Sequence, residues 1–199
     1  MEIIKKFTFN KKKKETIILI HGLYTTSGFW LSFFKFFKNY RIIAFDIKYD
    51  KLLATDFSKD NLKLHFQVDG NIVAVISHSF GTVISDLLFN FSDNILHKTC
   101  PIGFSKRIES STFVLDVLNK TALSEASIQN SMKLVKDFMR IYRSDIKSDG
   151  NFYIPHNDRY FEYNLPESTS INNFEGDHFD IKNALILIID NLTKVTNHY

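Results

Sequence analysis

The 199-residue chain is 44% hydrophobic and 24% charged, enough length for one domain and enough apolar content for a core, which excludes a disordered protein. Its net charge is only +3, and Lys11 to Lys14 form the one dense basic run, which reads as a solvated turn rather than a nucleic-acid face. The single cysteine, Cys100, leaves no disulfide framework or cysteine-rich metal site, and its apolar surroundings read as packing.

Ile3 to Phe9 reads as a strand that turns through residues 10–14 into a second, Thr16 to Ile20, so the sheet is expected to open with an antiparallel pair. The continuous apolar run Ile17 to Ile20 fits a strand covered on both faces. Phe29, Trp30, Phe33, Phe34 and Phe37 fall on one side of a helix from Gly28 to Phe37. Arg41–Ile47 and Ile72–Ile76 follow as buried strands, then a helix from Phe80 to Phe91 and a strand near Ile95–Phe104. Two amphipathic helices, Ser111–Asn119 and Ser124–Tyr142, precede strands near Asn151–Ile154 and Ile171–Phe174, and a helix over Phe179–Thr196 closes the chain. Strands alternating with helices imply right-handed crossovers, a mostly parallel sheet and helices on both faces. Residues 1–199 therefore read as one domain with a helical insertion at about 105–150. No secretory pattern follows Lys5 and Lys6, and no stretch approaches the roughly 18 apolar residues of a membrane span. The expected address is the cytoplasm.

Chemistry concentrates at three places. In Val73 to Thr82 a buried strand ends, Ser79 stands in a turn of small residues, and a helix begins at once. Such a turn exposes a serine hydroxyl and aims a helix N-terminus at any oxyanion that develops there. The pattern is S-x-S-x-G, with Ser77 where the motif usually has its first glycine. Earlier, Ile20-His21-Gly22-Leu23 ends a buried strand, so the amides of Leu23 and Phe80 could converge as oxyanion donors. Near the C-terminus, Phe174-Glu175-Gly176-Asp177-His178 places a histidine between a strand and the final helix. His21 and His78 flank the presumed site and read as supporting residues. Asp177 and Asp180 adjoin His178 but should point away from its ring.

In this order, H-G, S-H-S-F-G and G-D-H-F resemble the α/β-hydrolase superfamily over nearly the whole chain. The resemblance implies an α/β-hydrolase fold with a small helical lid, Ser79 as nucleophile, His178 as general base, and an acid on the loop after the next-to-last strand. Asp158 fits that position; Asp149, Asp145 and Glu162 are the alternatives. Asp46, at the end of an early strand, reads as a structural loop residue. Phe113, Leu115, Val117, Leu118, Met132, Leu134, Val135, Phe138 and Met139 either roof an apolar pocket or pack their helices together.

The implied activity is hydrolysis of a small-molecule carboxylic ester or thioester, free or carrier-bound, through an acyl-enzyme. An acyltransferase or editing thioesterase is the near alternative, and a catalytically silent hydrolase-like binding protein the distant one. No cofactor is implied: the early H-G-L-Y-T-T-S-G turn lacks a dinucleotide cradle, and the histidines lack metal-site spacing.

Overall fold

The computed structural model describes residues 2–55, 59–89, 95–107, 110–167 and 169–196. Its centre is a seven-stranded open sheet in the order β1-β3-β2-β4-β5-β7-β9, built from β1 (Ile4–Phe9), β2 (Glu15–Ile20), β3 (Arg41–Ile47), β4 (Asn71–His78), β5 (Leu96–Thr99), β7 (Asn151–Pro155) and β9 (Ser170–Phe174). Every adjacent pair is parallel except β1 with β3. A two-stranded antiparallel sheet, β6 (Ser105–Arg107) with β8 (Phe161–Tyr163), stands apart from it.

The apolar runs of the central strands follow from burial on both faces. On β2, Ile18 and Ile20 join one core layer while Ile17 and Leu19 join the other, the period of two that a pleated strand imposes. The first layer is closed by α1 (Tyr49–Ala54), α2 (Lys59–His65), α3 (Phe80–Leu88) and part of α5 (Glu125–Ile141). The second is closed by the segment Ser27–Phe37 and by α6 (Lys182–Thr196). A third cluster joins α4 (Ser110–Lys120), Ile128 of α5, Tyr160 and Phe161 over one end of the sheet.

Four expectations need correction. The opening strands form no hairpin: β1 is antiparallel, but to β3. The link after β1 passes over the start of β3, where the Asn10 side-chain amide donates to Tyr40 O, and this leaves β2 free to take parallel partners on both sides. The segment Ser27–Phe37 is a 3₁₀ helix. Trp30 and Phe33 recur at the three-residue period that suits this tighter coil, and Trp30 is fully buried. The strand expected to reach Phe104 stops at Thr99, because Cys100 turns left-handed at φ 50° and Pro101 follows. The helix expected to end at Phe91 ends at Leu88, and Phe91 lies outside the described residues. Two short helices, α1 and α2, and the β6–β8 pair were not foreseen. Among the described residues, no helix is long and apolar enough to cross a membrane.

Three of the buried histidines weaken the fold in acid. Burial lowers the proton affinity of His21, His78 and His97, His97 to about 4. The unfolded chain therefore takes up protons first, and stability present above pH 6.5 is lost as the pH falls below it. Each histidine contributes a slope of up to about 1.4 kcal/mol per pH unit within its window. Asp86, pushed by burial up to about 6 despite the adjacent Lys98, works in the opposite sense between roughly pH 4 and 6, offsetting one of the three. Urea midpoints are expected to fall from pH 7 to 5; a flat profile would contradict this account.

Candidate active site

Ser79 is the single residue between β4 and α3, with φ 53° and ψ −121°. A residue with a Cβ is strained there, and the surroundings hold it in place. The Ser79 amide donates to Thr99 O at 2.9 Å, tying the turn to the end of β5. Two glycines let the chains pack closely: a Cβ at Gly22 would lie 2.8 Å from that of Ser79, and one at Gly81 would lie 2.5 Å from His21 O. Ser77 fits in place of a glycine because its buried hydroxyl is satisfied, accepting from Ser85 Oγ at 3.1 Å and donating towards His97 O at 3.4 Å.

His178 arrives from the far end of the chain. Gly176, at φ 155°, makes the turn after β9, and a Cβ there would sit 2.2 Å from Asp180 O. The Asp177 carboxylate accepts the amides of Phe179 and Asp180, so it braces the turn and leaves the ring alone. His178 Nε2 lies 2.9 Å from Ser79 Oγ, and Nδ1 lies 3.2 Å from Asp158 Oδ2. An ionised carboxylate can only accept, so Nδ1 carries the proton and Nε2 turns its lone pair towards the serine hydroxyl. The rings of Phe161 and Phe179 pack around the imidazole at 4.6 and 5.3 Å between centroids.

Asp158 follows β7. Its Oδ1 accepts the amides of Tyr160 at 2.9 Å and Phe161 at 3.2 Å, while Oδ2 takes both His178 Nδ1–H and the Tyr163 hydroxyl. Burial works to raise this carboxyl, but the bonds from His178, Tyr163 and Tyr160 together hold it below the ordinary carboxylate range. The other candidates are engaged elsewhere or turned away. Asp149 lies 3.6 Å from Lys98 Nζ, Asp145 ends a short 3₁₀ turn, and Glu162 is exposed on β8.

Ser79 and His178 open onto a cavity of about 420 Å³. Its walls are apolar, with Leu23, Phe113, Met132, Val135, Met139 and Phe179 prominent among them. Of the residues weighed for a roof, Phe113, Met132, Val135 and Met139 line this space. Leu115 is exposed, Val117 packs into the third cluster, and Phe138 stacks edge-on against Phe80.

No protein-family model matches the chain, and no curated protein does. Solved structures nonetheless share its architecture at low identity. An alpha/beta hydrolase fold protein from Burkholderia ambifaria superposes with a TM-score of 0.58 at 12% identity, over 96% of this chain and 93% of its own. The chain has the α/β-hydrolase fold. The NocB thioesterase domain, solved as a covalent complex with a fluorophosphonate nocardicin G analogue, gives 0.63 at 11% identity over 94% and 99% of the two chains. A bacterial membrane phospholipase A described as a virulence factor gives 0.60 at 13% identity, over 98% of this chain and 83% of its own.

Within this α/β-hydrolase fold the remaining residues sort by contact. Phe80 opens α3, and Leu23 follows the glycine packed against Ser79 and lines the cavity. Amides in the first turn of a helix lack an intrahelical acceptor, which suits the Phe80 N–H to an incoming oxyanion. His21 is fixed away from the hydroxyl: Nδ1 donates to Gly22 O at 2.8 Å and Nε2 accepts the Ile47 amide at 2.9 Å. His78 stacks on Phe29, with Nδ1 3.2 Å from Thr99 Oγ1. Asp46 accepts the Ser27 amide at 2.8 Å, a structural role. Among the described residues, one group of donors lies close enough to share a metal ion, Cys100, Asp158 and His178 within 4.8 Å. Asp158 and His178 already bond each other, and burial pushes the Cys100 thiol well up, which disfavours the thiolate a metal needs. Sequence reasoning missed Tyr163, since an aromatic between a glutamate and an asparagine carries no sign that it meets the Asp158 carboxylate.

Proposed function

We propose that this chain is a serine hydrolase that cleaves a carboxylic ester or thioester through an acyl-enzyme. Ser79 is the nucleophile, His178 the general base, Asp158 the orienting acid, and the Leu23 and Phe80 amides the oxyanion donors. The observation that carries this reading is the unbroken relay Ser79 Oγ–His178–Asp158, starting from a strained turn at the wall of an apolar cavity. A silent binding protein would need neither the strain nor the register of three side chains drawn from residues 79, 158 and 178.

In the first half-reaction Ser79 Oγ bonds to the carbonyl carbon as its proton passes to His178 Nε2. The tetrahedral oxyanion collapses, the ester C–O or thioester C–S bond breaks, and the leaving group takes the proton from His178. Water then repeats the sequence, giving a free acid and restoring Ser79. The cavity suits an acyl chain of modest length, and α4 with α5 would form the lid above it.

A panel of p-nitrophenyl esters of increasing chain length, beside acyl-carrier thioesters, tests the reading. Hydrolysis with a preferred chain length is expected, and an alcohol acceptor in the assay would expose acyl transfer. Met132→Trp fills the cavity and is expected to cut kcat/KM for the longest accepted ester about tenfold or more, while sparing acetate. Loss on acetate and long esters alike would place the acyl group elsewhere. No turnover of any ester or thioester would sink the proposal.

A further inference from the structure

Asp158 Oδ2 receives two donors, and one of them, Tyr163, belongs to neither the nucleophile nor the base. The Tyr163 hydroxyl also lies 3.3 Å from His178 Nδ1 and meets the Cys100 thiol. Only one arrangement of protons satisfies all of these contacts. Tyr163 O–H donates to Asp158, its lone pairs face His178 Nδ1–H and the Cys100 S–H, and His178 leaves Nε2 free for Ser79. β8 holds Tyr163 in place by pairing it with Ser105 of β6, a strand that itself borders the cavity.

We propose that Tyr163 is a positioning residue that sets how strongly Asp158 draws on His178, a role that rests on the serine-hydrolase reading. Its hydroxyl takes up part of the negative charge on Oδ2, so the carboxylate stabilises the imidazolium less than it otherwise would. Its lone pair keeps the proton on Nδ1, because the other tautomer would set the Nδ1 lone pair against it. The acid is thus held ionised by four hydrogen bonds, with no cation bonded to it among the described residues. Other groups facing the ring are few. His78 lies 5.2 Å away between centroids, and Tyr160 6.2 Å. Cys100 lies within 4.8 Å of the pair, Asp177 adjoins in the chain, and Lys106 and Lys136 line the same cavity from β6 and α5. None of these shares Oδ2.

The decisive measurement is the titration midpoint of His178 by NMR in the full-length protein, read without substrate and identified by its loss in His178→Gln. Tyr163→Phe is expected to raise that midpoint by about half to one pH unit, and the acid limb of kcat/KM with it. Placing 3-fluorotyrosine at 163, a stronger donor that keeps the ring and the fold, is expected to lower it. Cys100→Ala, which leaves the Tyr163–Asp158 bond intact, is expected to move it less than Tyr163→Phe. Unchanged midpoints in both Tyr163 variants would overturn the proposal, as would a Cys100→Ala shift equal to that of Tyr163→Phe. Shifted midpoints in a protein that hydrolyses no ester would instead overturn the hydrolase reading.

Discussion

Replacing Ser79 by alanine is expected to lower kcat for any accepted ester by roughly 10⁴–10⁶-fold and to abolish labelling by a fluorophosphonate probe. The size follows from the geometry, since Ser79 Oγ is the hydroxyl at hydrogen-bonding distance from His178 Nε2. Without it the imidazole has no nucleophile to deprotonate, and only cavity binding and oxyanion donors remain. The same position should show a trade between stability and function. At φ 53° a side chain is strained, so Ser79→Gly is expected to be more stable than Ser79→Ala by about 1 kcal/mol in urea while equally inactive. Labelling that survives in Ser79→Ala would mean that another residue is the nucleophile. A glycine variant no more stable than alanine would mean that the turn stores no strain.

The largest loss of stability is expected from Lys98→Ala. Lys98 is buried on β5, with Nζ 2.6 Å from Asp86 Oδ1 of α3 and donating to Lys147 O at 2.8 Å. Asp86 Oδ2 in turn accepts the Lys147 amide, so one ion pair joins the helix behind Ser79 to the segment leading into β7. Removing the ammonium strands a buried carboxylate, which costs about 3–5 kcal/mol. Asp86 can escape by taking a proton, and burial has already pushed it up to about 6. The penalty should therefore be larger at pH 8 than at pH 5. Replacing both partners, Lys98→Met with Asp86→Leu, should cost much less than the single change. Urea unfolding of the unaltered protein and the two variants at both pH values checks this. A single-variant loss below about 1 kcal/mol at pH 8 would show that the pair contributes nothing.

How much of this was legible depended on how locally each feature is encoded. The turn at Ser79 could be read because a double-faced apolar strand, a small-residue turn and a helix lie within ten residues of one another. Gly22 and Gly176 were legible as turn glycines for the same reason; Gly176 has the left-handed φ such a turn takes, whereas Gly22 has no positive φ and serves by packing closely against Ser79. The partner of β1 was not legible. A strand followed closely by another suggests a hairpin, and only the competition of β3 and β4 for the edges of β2 decides otherwise.

By itself the sequence determined the parallel architecture and the chain order of the Ser79 and His178 turns, because apolar periodicity and glycine placement are properties of neighbouring residues. Tertiary structure alone decided which carboxylate meets the histidine. Asp149 and Asp158 flank the same strand, yet one is drawn to the buried Lys98 and the other is cradled by the Tyr160 and Phe161 amides. It also brought Tyr163 to the acid and paired Lys98 with Asp86. The physical reason is common to all three: a side chain's charge partner is set by distance in space, and spacing along the chain carries no record of it.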